Sequence, residues 1–345
     1  MNLAAPGPEA AAPPGPVLVM GAGSVGCFVG GRLLAAGAEV HFVGRPRVLQ
    51  ALRAHGLTAT DLEGGRSQAA AAGLHLHEGV PASLGAPPLV LLCVKSGGTA
   101  AAAAQLAAVL PAGTPVLSLQ NGVANAEVAA AAAPSLTWLP GMVPYNIAEL
   151  APGHFHRGTT GALAAVDHPA LRPWSPLFQA AGLRLKLHAD LRPVQWGKLL
   201  INLNNPVNAL SGLPLRAQLL NRDCRRVWAA LQLEALAALR AAGITPAQMT
   251  ALPPQRLPLM LKQPNWLFTR LAARMLRIDD KARSSMADDL ALGRPTEVDA
   301  ICGAVVRLAQ AHGLKAPRCA KMVELLSVAK PEALGPRALR QQLGL

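Results

Sequence analysis

A single lysine stands among aliphatic residues in the stretch Trp196-Gly-Lys-Leu-Leu-Ile-Asn-Leu-Asn-Asn-Pro206, which continues through Val207-Asn208-Ala209-Leu210. At about 100° per residue, Lys198, Asn202 and Asn205 fall within roughly 60° of one another on a helix, with Leu199, Leu200, Leu203, Val207 and Leu210 on the opposite side. One face packs and the other presents an ammonium and two amides. An ammonium held against apolar neighbours can stabilise negative charge on an oxygen and then supply a proton. Asparagine is a poor helix former and Pro206 removes an amide donor, so the segment gives up helix stability to keep these groups. An amphipathic helix with a solvated side shows the same pattern, so the rest of the chain must decide.

A second constellation lies near the start. The apolar run Pro16-Val-Leu-Val-Met20 predicts a buried strand, followed by Gly21-Ala22-Gly23-Ser24-Val25-Gly26 and an apolar helix to about residue 36. In that context G-x-G-x-x-G is a dinucleotide loop: Gly21 allows the tight turn, Gly23 lets a pyrophosphate approach the backbone, and Gly26 lets helix and strand pack closely. The strand at 38–43 ends in Gly44-Arg45, with Arg47 close behind. An acidic residue there would bind the ribose 2′-hydroxyl of NAD, whereas arginine suits a 2′-phosphate, so NADP is the expected cofactor. The apolar run 88–94 ends at Lys95-Ser96, and the strand at 114–119 ends at Gln120-Asn121-Gly122. Ligands of doubly wound sheets sit beyond such carboxyl ends, which makes Lys95 and Asn121 candidates for the site. Short strands are expected between 137 and 166, then a helix over 169–181, a strand at 183–187 and a hinge near 189–193.

Beyond the hinge the period becomes helical. A long helix is expected over 216–242, and another around 266–276 after the proline-broken stretch 253–264. Ser284-Ser-Met286 and Gly293-Arg-Pro-Thr-Glu-Val-Asp299 follow. Thr296 with Asp299 resembles a capping box, which would put Glu297 in the first turn of a helix closed by Gly313.

Composition bounds the remainder. A chain of 345 residues with 51% hydrophobic and 15% charged side chains predicts two folded domains: a disordered leader over 1–15, a dinucleotide-binding domain over 16–190, a helical domain over 191–330 and a tail over 331–345. There is no signal-peptide pattern and no apolar run long enough to span a bilayer, so a cytoplasmic protein without membrane partners is expected. The net charge of +13 comes from dispersed arginines and aromatics are only 3%, which argues against nucleic acid and for a small anionic ligand. Cys27, Cys93, Cys224, Cys302 and Cys319 include no C-x-x-C pair and read as reduced thiols. His75-x-His77 and His154-x-His156 have strand spacing, yet neither has a cysteine or carboxylate cluster near it in sequence, so no metal site is expected. No heptad or patch can be assigned to an interface, which leaves a homodimer open.

Taken together, Gly21-Ala-Gly-Ser-Val-Gly26, Val94-Lys95, Gln120-Asn-Gly122, Trp196-Gly-Lys-Leu-Leu-Ile-Asn202, Ser284-Ser-Met-x-x-Asp289 and Gly293-Arg-x-Thr-Glu-Val-Asp299 resemble the ketopantoate reductase family, in the family's order. The resemblance implies an α/β fold: a Rossmann-type NADP-binding domain, then an all-helical domain like the C-terminal domain of 6-phosphogluconate dehydrogenase. It also implies a cleft where NADPH reduces a 2-oxo acid, 2-dehydropantoate first among them, on the way to pantothenate and coenzyme A. Lys198 matches the family's catalytic lysine and Glu297 its associated carboxylate. Lys95 and Asn121 match positions near nicotinamide and substrate, and Asn202 and Ser285 match substrate-binding positions. The family's further asparagine and proline correspond to Asn205 and Pro206 one residue early, and two other frequent asparagines are replaced by Cys302 and Cys319. Another 2-oxo or 3-hydroxy acid as substrate, or a sensor that binds NADP(H) without turnover, are the competing readings.

Overall fold

Four short, mainly apolar strands form the middle of the larger sheet; Val17–Met20 and Leu89–Leu92 are buried throughout, as their unbroken hydrophobic sequences require. The computed structural model describes residues 13–84, 87–280, 282–328 and 333–345; the expected leader, up to residue 12, lies outside them. Contacts divide the chain into two units, one of residues up to Gln120 with Asn125–Leu191, the other of Asn121–Ala124 with Arg192–Leu345. The strand-end Asn121 therefore groups with the second unit.

The first unit is Rossmann-like. Its eight-stranded sheet runs, in spatial order, Leu185–His188, Leu163–Val166, Thr137–Met142, Pro115–Ser118, Leu89–Leu92, Val17–Met20, Val40–Val43 and His75–His77. The six strands from Thr137–Met142 to His75–His77 are mutually parallel, and Leu163–Val166 joins antiparallel. The register sets Met20 beside both Val43 and Leu92, and Leu92 beside Ser118, so these strands stop in one row.

The short strands expected between 137 and 166 are shared between two sheets, and the second has four strands: Arg66–Ala69, Leu57–Asp61, His154–Arg157 and Ile147–Ala151. Arg-Ser-Gln-Ala at 66–69 carries no apolar signal because that strand is largely exposed. The helix Ser24–Ala35 packs on both sheets. Its paired glycines make this close approach possible: a Cβ on Gly30 would lie 2.5 Å from the Phe42 ring, and one on Gly31 2.9 Å from Leu57 Cδ2. Gly30→Ala is expected to destabilise the protein by about 1–3 kcal/mol through overpacking, outweighing the ~1 kcal/mol gained in helix propensity. A thermal melt reads the balance; a raised midpoint would mean propensity wins.

The second unit is helical and is built around Arg222–Ala241, whose core-facing residues include Val227, Trp228, Leu231, Ala235 and Leu239. The helices Asn204–Ser211, Leu257–Leu261, Ala304–Ala311, Pro317–Leu326 and Pro336–Gln342 pack against it. The long helix expected over 216–242 is in fact two, Leu215–Leu220 and Arg222–Ala241. Asn221 divides them, because its side chain accepts from the amides of Asp223 and Cys224 and caps a new helix instead of continuing the old one. Among the described residues no helix is long and apolar enough to cross a membrane.

Candidate functional site

The glycine loop satisfies three separate spatial demands. Gly21 has φ +113°, and a Cβ there would lie 2.6 Å from the Val94 amide nitrogen. At Gly26 a Cβ would overlap the Gly21 carbonyl and approach Val19 to 2.8 Å. At Gly23 it would meet nothing within 4 Å, so this position leaves room for a ligand against the backbone. The Gly21 and Ala22 amides are both spent on Val43 O, at 3.0 and 2.8 Å. The first-turn amides of Ser24, Val25 and Gly26 have no intrahelical acceptor by geometry, and no acidic residue opposes an anion there. Arg45 is exposed two residues beyond the end of Val40–Val43, at the N-cap position of the helix Pro46–His55.

Lys95 is exposed at the carboxyl end of Leu89–Leu92 and leads into the turn Ser96–Gly98. Its loop is tied down by a network that the sequence did not disclose. Gln120 donates to Val94 O at 2.9 Å and to Thr99 Oγ1 at 2.8 Å while accepting from Ser118 Oγ at 2.8 Å. Thr99 in turn donates to Asn125 Oδ1 at 3.2 Å. Gln120 and Thr99 are buried, so this satisfied network holds the Lys95 loop beside the neighbouring strand end.

In the second unit the opening segment forms two helices, Arg192–Asn202 and Asn204–Ser211, joined at Leu203. The continuous face expected for Lys198, Asn202 and Asn205 is thus interrupted, with Pro206 unable to donate to the Asn202 carbonyl. Lys198 and Asn202, one turn apart on the first helix, keep a common face. Asn202 Nδ2 donates to Asn121 Oδ1 at 3.3 Å, and Asn121 Nδ2 to Glu297 Oε2 at 3.1 Å. Three of the candidates are therefore one hydrogen-bonded chain, and a fourth lies a turn from its end. Burial pulls the Lys198 ammonium from the ordinary lysine value of 10.5 down to about 8. The preceding Gly197 seats this helix: a Cβ there would overlap the Ala247 carbonyl, and the Ala247 amide donates to Pro193 O at 2.8 Å.

Glu297 precedes the helical turn, and its carbonyl accepts from Ile301 N at 3.2 Å. The expected capping box is not formed. Val298 is the N-cap, without a side-chain capping bond, and opens a π turn over Asp299–Gly303 before the α-helix Ala304–Ala311. Asp299 faces forward to Arg307, accepting from its guanidinium at 2.9 and 3.1 Å.

The other asparagines separate by role. Asn204 exchanges two hydrogen bonds with Gln218, at 3.2 and 2.8 Å, inside the core. Asn208, fully buried, donates to Leu213 O at 2.8 Å and accepts from Ser284 N at 2.9 Å. Ser284 caps the helix Ser285–Ala291 and donates to Asn205 O at 3.3 Å. Ser285, the first residue of that helix, is exposed and directly follows the serine bonded to Asn205 O. Asn208 and Ser284 are thus positioning residues that sequence reasoning overlooked; the buried asparagine behind Pro206 was the available signal.

All five cysteines are free thiols. Burial raises Cys27, Cys93 and Cys224 far above the ordinary thiol value, the last two to about 12, so none of these three offers a ready thiolate.

The pattern of the family described as ketopantoate reductase PanE/ApbA matches residues 17–168, and that of its C-terminal domain matches residues 190–330. A 2-dehydropantoate 2-reductase of Halobacterium salinarum is 28% identical over 321 residues, 91% of this chain and 98% of that one. Its counterpart from Mycobacterium tuberculosis is 28% identical over 319 residues, 91% of this chain and 97% of that one. The crystal structure of a PanE/ApbA family ketopantoate reductase from Ralstonia eutropha superimposes with a TM-score of 0.76 at 27% identity, covering 95% of this chain and 99% of that one. Likeness that runs through both units and along nearly the whole of each relative leaves one assignment: the chain belongs to the ketopantoate reductase family of oxidoreductases.

Proposed function

We propose that this oxidoreductase uses NADPH to reduce the ketone of 2-dehydropantoate, giving (R)-pantoate, a step toward pantothenate and coenzyme A. The observation that carries the reading is a half-buried lysine, drawn down to about 8 by desolvation, one helical turn from a chain of two amides ending in a carboxylate. The names of the full-length relatives supply the substrate class.

The cofactor fits the residues present. Gly23 leaves an open cradle at a helix start without acidic residues, and Arg45 stands exposed where a 2′-phosphate would fall. When bound, the reduced nicotinamide supplies the hydride. As the ketone carbon is reduced, negative charge grows on its oxygen; the Lys198 ammonium stabilises that charge and transfers a proton to it. Glu297 holds Asn121, which fixes the amide of Asn202, so the substrate meets amides of set orientation. Lys95, Ser285 and Asn205 complete the proposed substrate set, a cation for the carboxylate and polar groups for the distal hydroxyl.

NADPH oxidation by the purified protein across a panel of 2-oxo acids tests this. The branched, hydroxyl-bearing acid is expected to lead, because a site built around a substrate hydroxyl rejects analogues lacking it. Comparable turnover of unbranched acids would defeat the specific assignment, and NADPH binding by calorimetry without any turnover would identify a sensor. Arg45→Ala is expected to raise the KM for NADPH about tenfold, the loss of one charge-assisted hydrogen bond, and to leave the KM for NADH unchanged. Equal effects on both cofactors would remove the 2′-phosphate role.

A further inference from the structure

At the outer edge of the eight-stranded sheet, Val40–Val43 pairs in parallel with His75–His77, setting His41 beside His75 and Val43 beside His77. Side chains at alternate strand positions share a face, so His41, His75 and His77 all rise on one side. Further inward that side is the apolar cluster of Leu18, Met20, Val43, Val90 and Leu92. At the edge it becomes three imidazoles, joined by Glu39 from the residue just before the strand. The His41 and His75 rings stack with centroids 4.5 Å apart, and His77 lies 5.3 Å from His41.

We propose that Glu39, His41 and His75 bind a divalent transition-metal ion of the zinc class, with His77 as the residue that orients His41. Their ligand atoms already lie within 4.8 Å of one another. Bonds of about 2.0–2.2 Å hold tetrahedral ligand atoms roughly 3.3–3.5 Å apart, so the three need to close by little more than 1 Å. The rings of His41 and His75 are within 16° of parallel, so His75, the exposed member, swings to aim its lone pair at the shared point.

The hydrogen bonds define which nitrogen would ligate. His41 Nε2 lies 2.8 Å from Glu39 Oε1, a separation that requires a proton or another cation between them. His41 Nδ1 lies 3.0 Å from His77 Nε2. With the metal in place of the proton, Nδ1–H donates to His77, the outer-shell contact that fixes the tautomer of a ligating histidine. Binding thus moves the single ring proton of a neutral His41 from Nε2 to Nδ1, with His77 taking the complementary tautomer, and leaves a coordination position for water. Two imidazoles and a carboxylate suit zinc, copper or nickel better than magnesium or calcium. No cysteine or carboxylate cluster lies near His75 along the chain, whereas the sheet brings Glu39 and His41 to it from the neighbouring strand.

The test is calorimetric titration of the full-length protein with Zn²⁺, together with the visible spectrum of the Co²⁺ form. One equivalent is expected to bind and raise the melting temperature, since a ligand that binds only the folded state stabilises it. His75→Ala, an exposed substitution, should abolish the Co²⁺ ligand-field bands without changing the metal-free melting temperature. His41→Ala should abolish them too, and His77→Ala should weaken Zn²⁺ about tenfold. Replacing both His154 and His156, whose rings instead share Thr60 Oγ1, should change nothing. Failure to bind, affinity unchanged in His75→Ala, or binding lost with His154 and His156 each overturns the proposal. None of these readouts depends on the activity proposed above.

Discussion

Lys198→Ala is expected to lower kcat for ketone reduction by about 10²–10⁴-fold, the usual contribution of a positioned general acid, with NADPH affinity nearly unchanged. The separation follows from placement: Lys198 belongs to the helical unit, whereas the glycine loop and Arg45 belong to the other. With the ammonium titrating at about 8, reduction should hold level below that pH and fall above it as the acid form is lost. Oxidation of the hydroxy acid needs the neutral amine and should rise over the same interval. The same residue carries a stability cost. Its folded pKa lies below the unfolded value of about 10.4, so the cost is fully present below about pH 8 and disappears as pH rises toward 10.4. Lys198→Met should therefore raise the melting temperature at pH 7 while removing turnover. Turnover that survives in both variants would exclude Lys198 as the proton donor, and a lowered melting temperature for Lys198→Met would mean that its charge is compensated.

What could be read from the chain follows from how locally each feature is encoded. The glycine loop, the buried strands and the Lys198 helix carry their signals within one or two turns of sequence, and their spatial demands at Gly21, Gly23 and Gly26 are those the motif anticipates. Helix divisions were less visible, because Asn221 could continue a helix or cap one and only the amides of Asp223 and Cys224 decide. The Thr296–Asp299 spacing suggested a cap, but Arg307, eight residues beyond Asp299, is the stronger partner for that carboxylate. Features assembled from distant strands left no local trace. The second sheet joins residues near 60 with residues near 155, and the polar network of Gln120 links two strand ends through Thr99. Asn121 shows both cases: its position after a strand marked it for a site, while its bonds to Asn202 and Glu297 had to be seen in three dimensions.

Arg225→Ala is expected to destabilise the helical unit by roughly 3–5 kcal/mol or more. In sequence this arginine is one of three in Arg222-Asp-Cys-Arg-Arg226 and looks solvated. In the structure it is 0% exposed, with its guanidinium 4.1 Å from the centre of the Phe268 ring. It donates to Leu219 O, Leu220 O, Leu261 O, Gln263 O and Asn265 Oδ1, at distances from 2.8 to 3.1 Å. None of the five acceptors is a carboxylate. Leu219 and Leu220 end one helix and Leu261 ends another, so the cation is balanced by carbonyls at two helix C-termini, where the backbone dipole concentrates negative charge. Burial and the nearby Arg222 lower its pKa to about 10, which leaves it charged at neutral pH. Truncation leaves several buried acceptors unpaired, each at about 1–3 kcal/mol, and vacates the space over Phe268. Lysine cannot rescue it, because a single ammonium lacks the planar fork that reaches acceptors on both sides. At roughly 2–4 °C per kcal/mol for a unit of this size, both variants should melt about 10 °C or more below the parent, with the loss confined to the helical unit. An Arg225→Lys protein melting within 2 °C of the parent would show that water or rearranged loops satisfy these carbonyls. The guanidinium would then be a passenger in the core rather than the clamp joining the C-terminal ends of two helices.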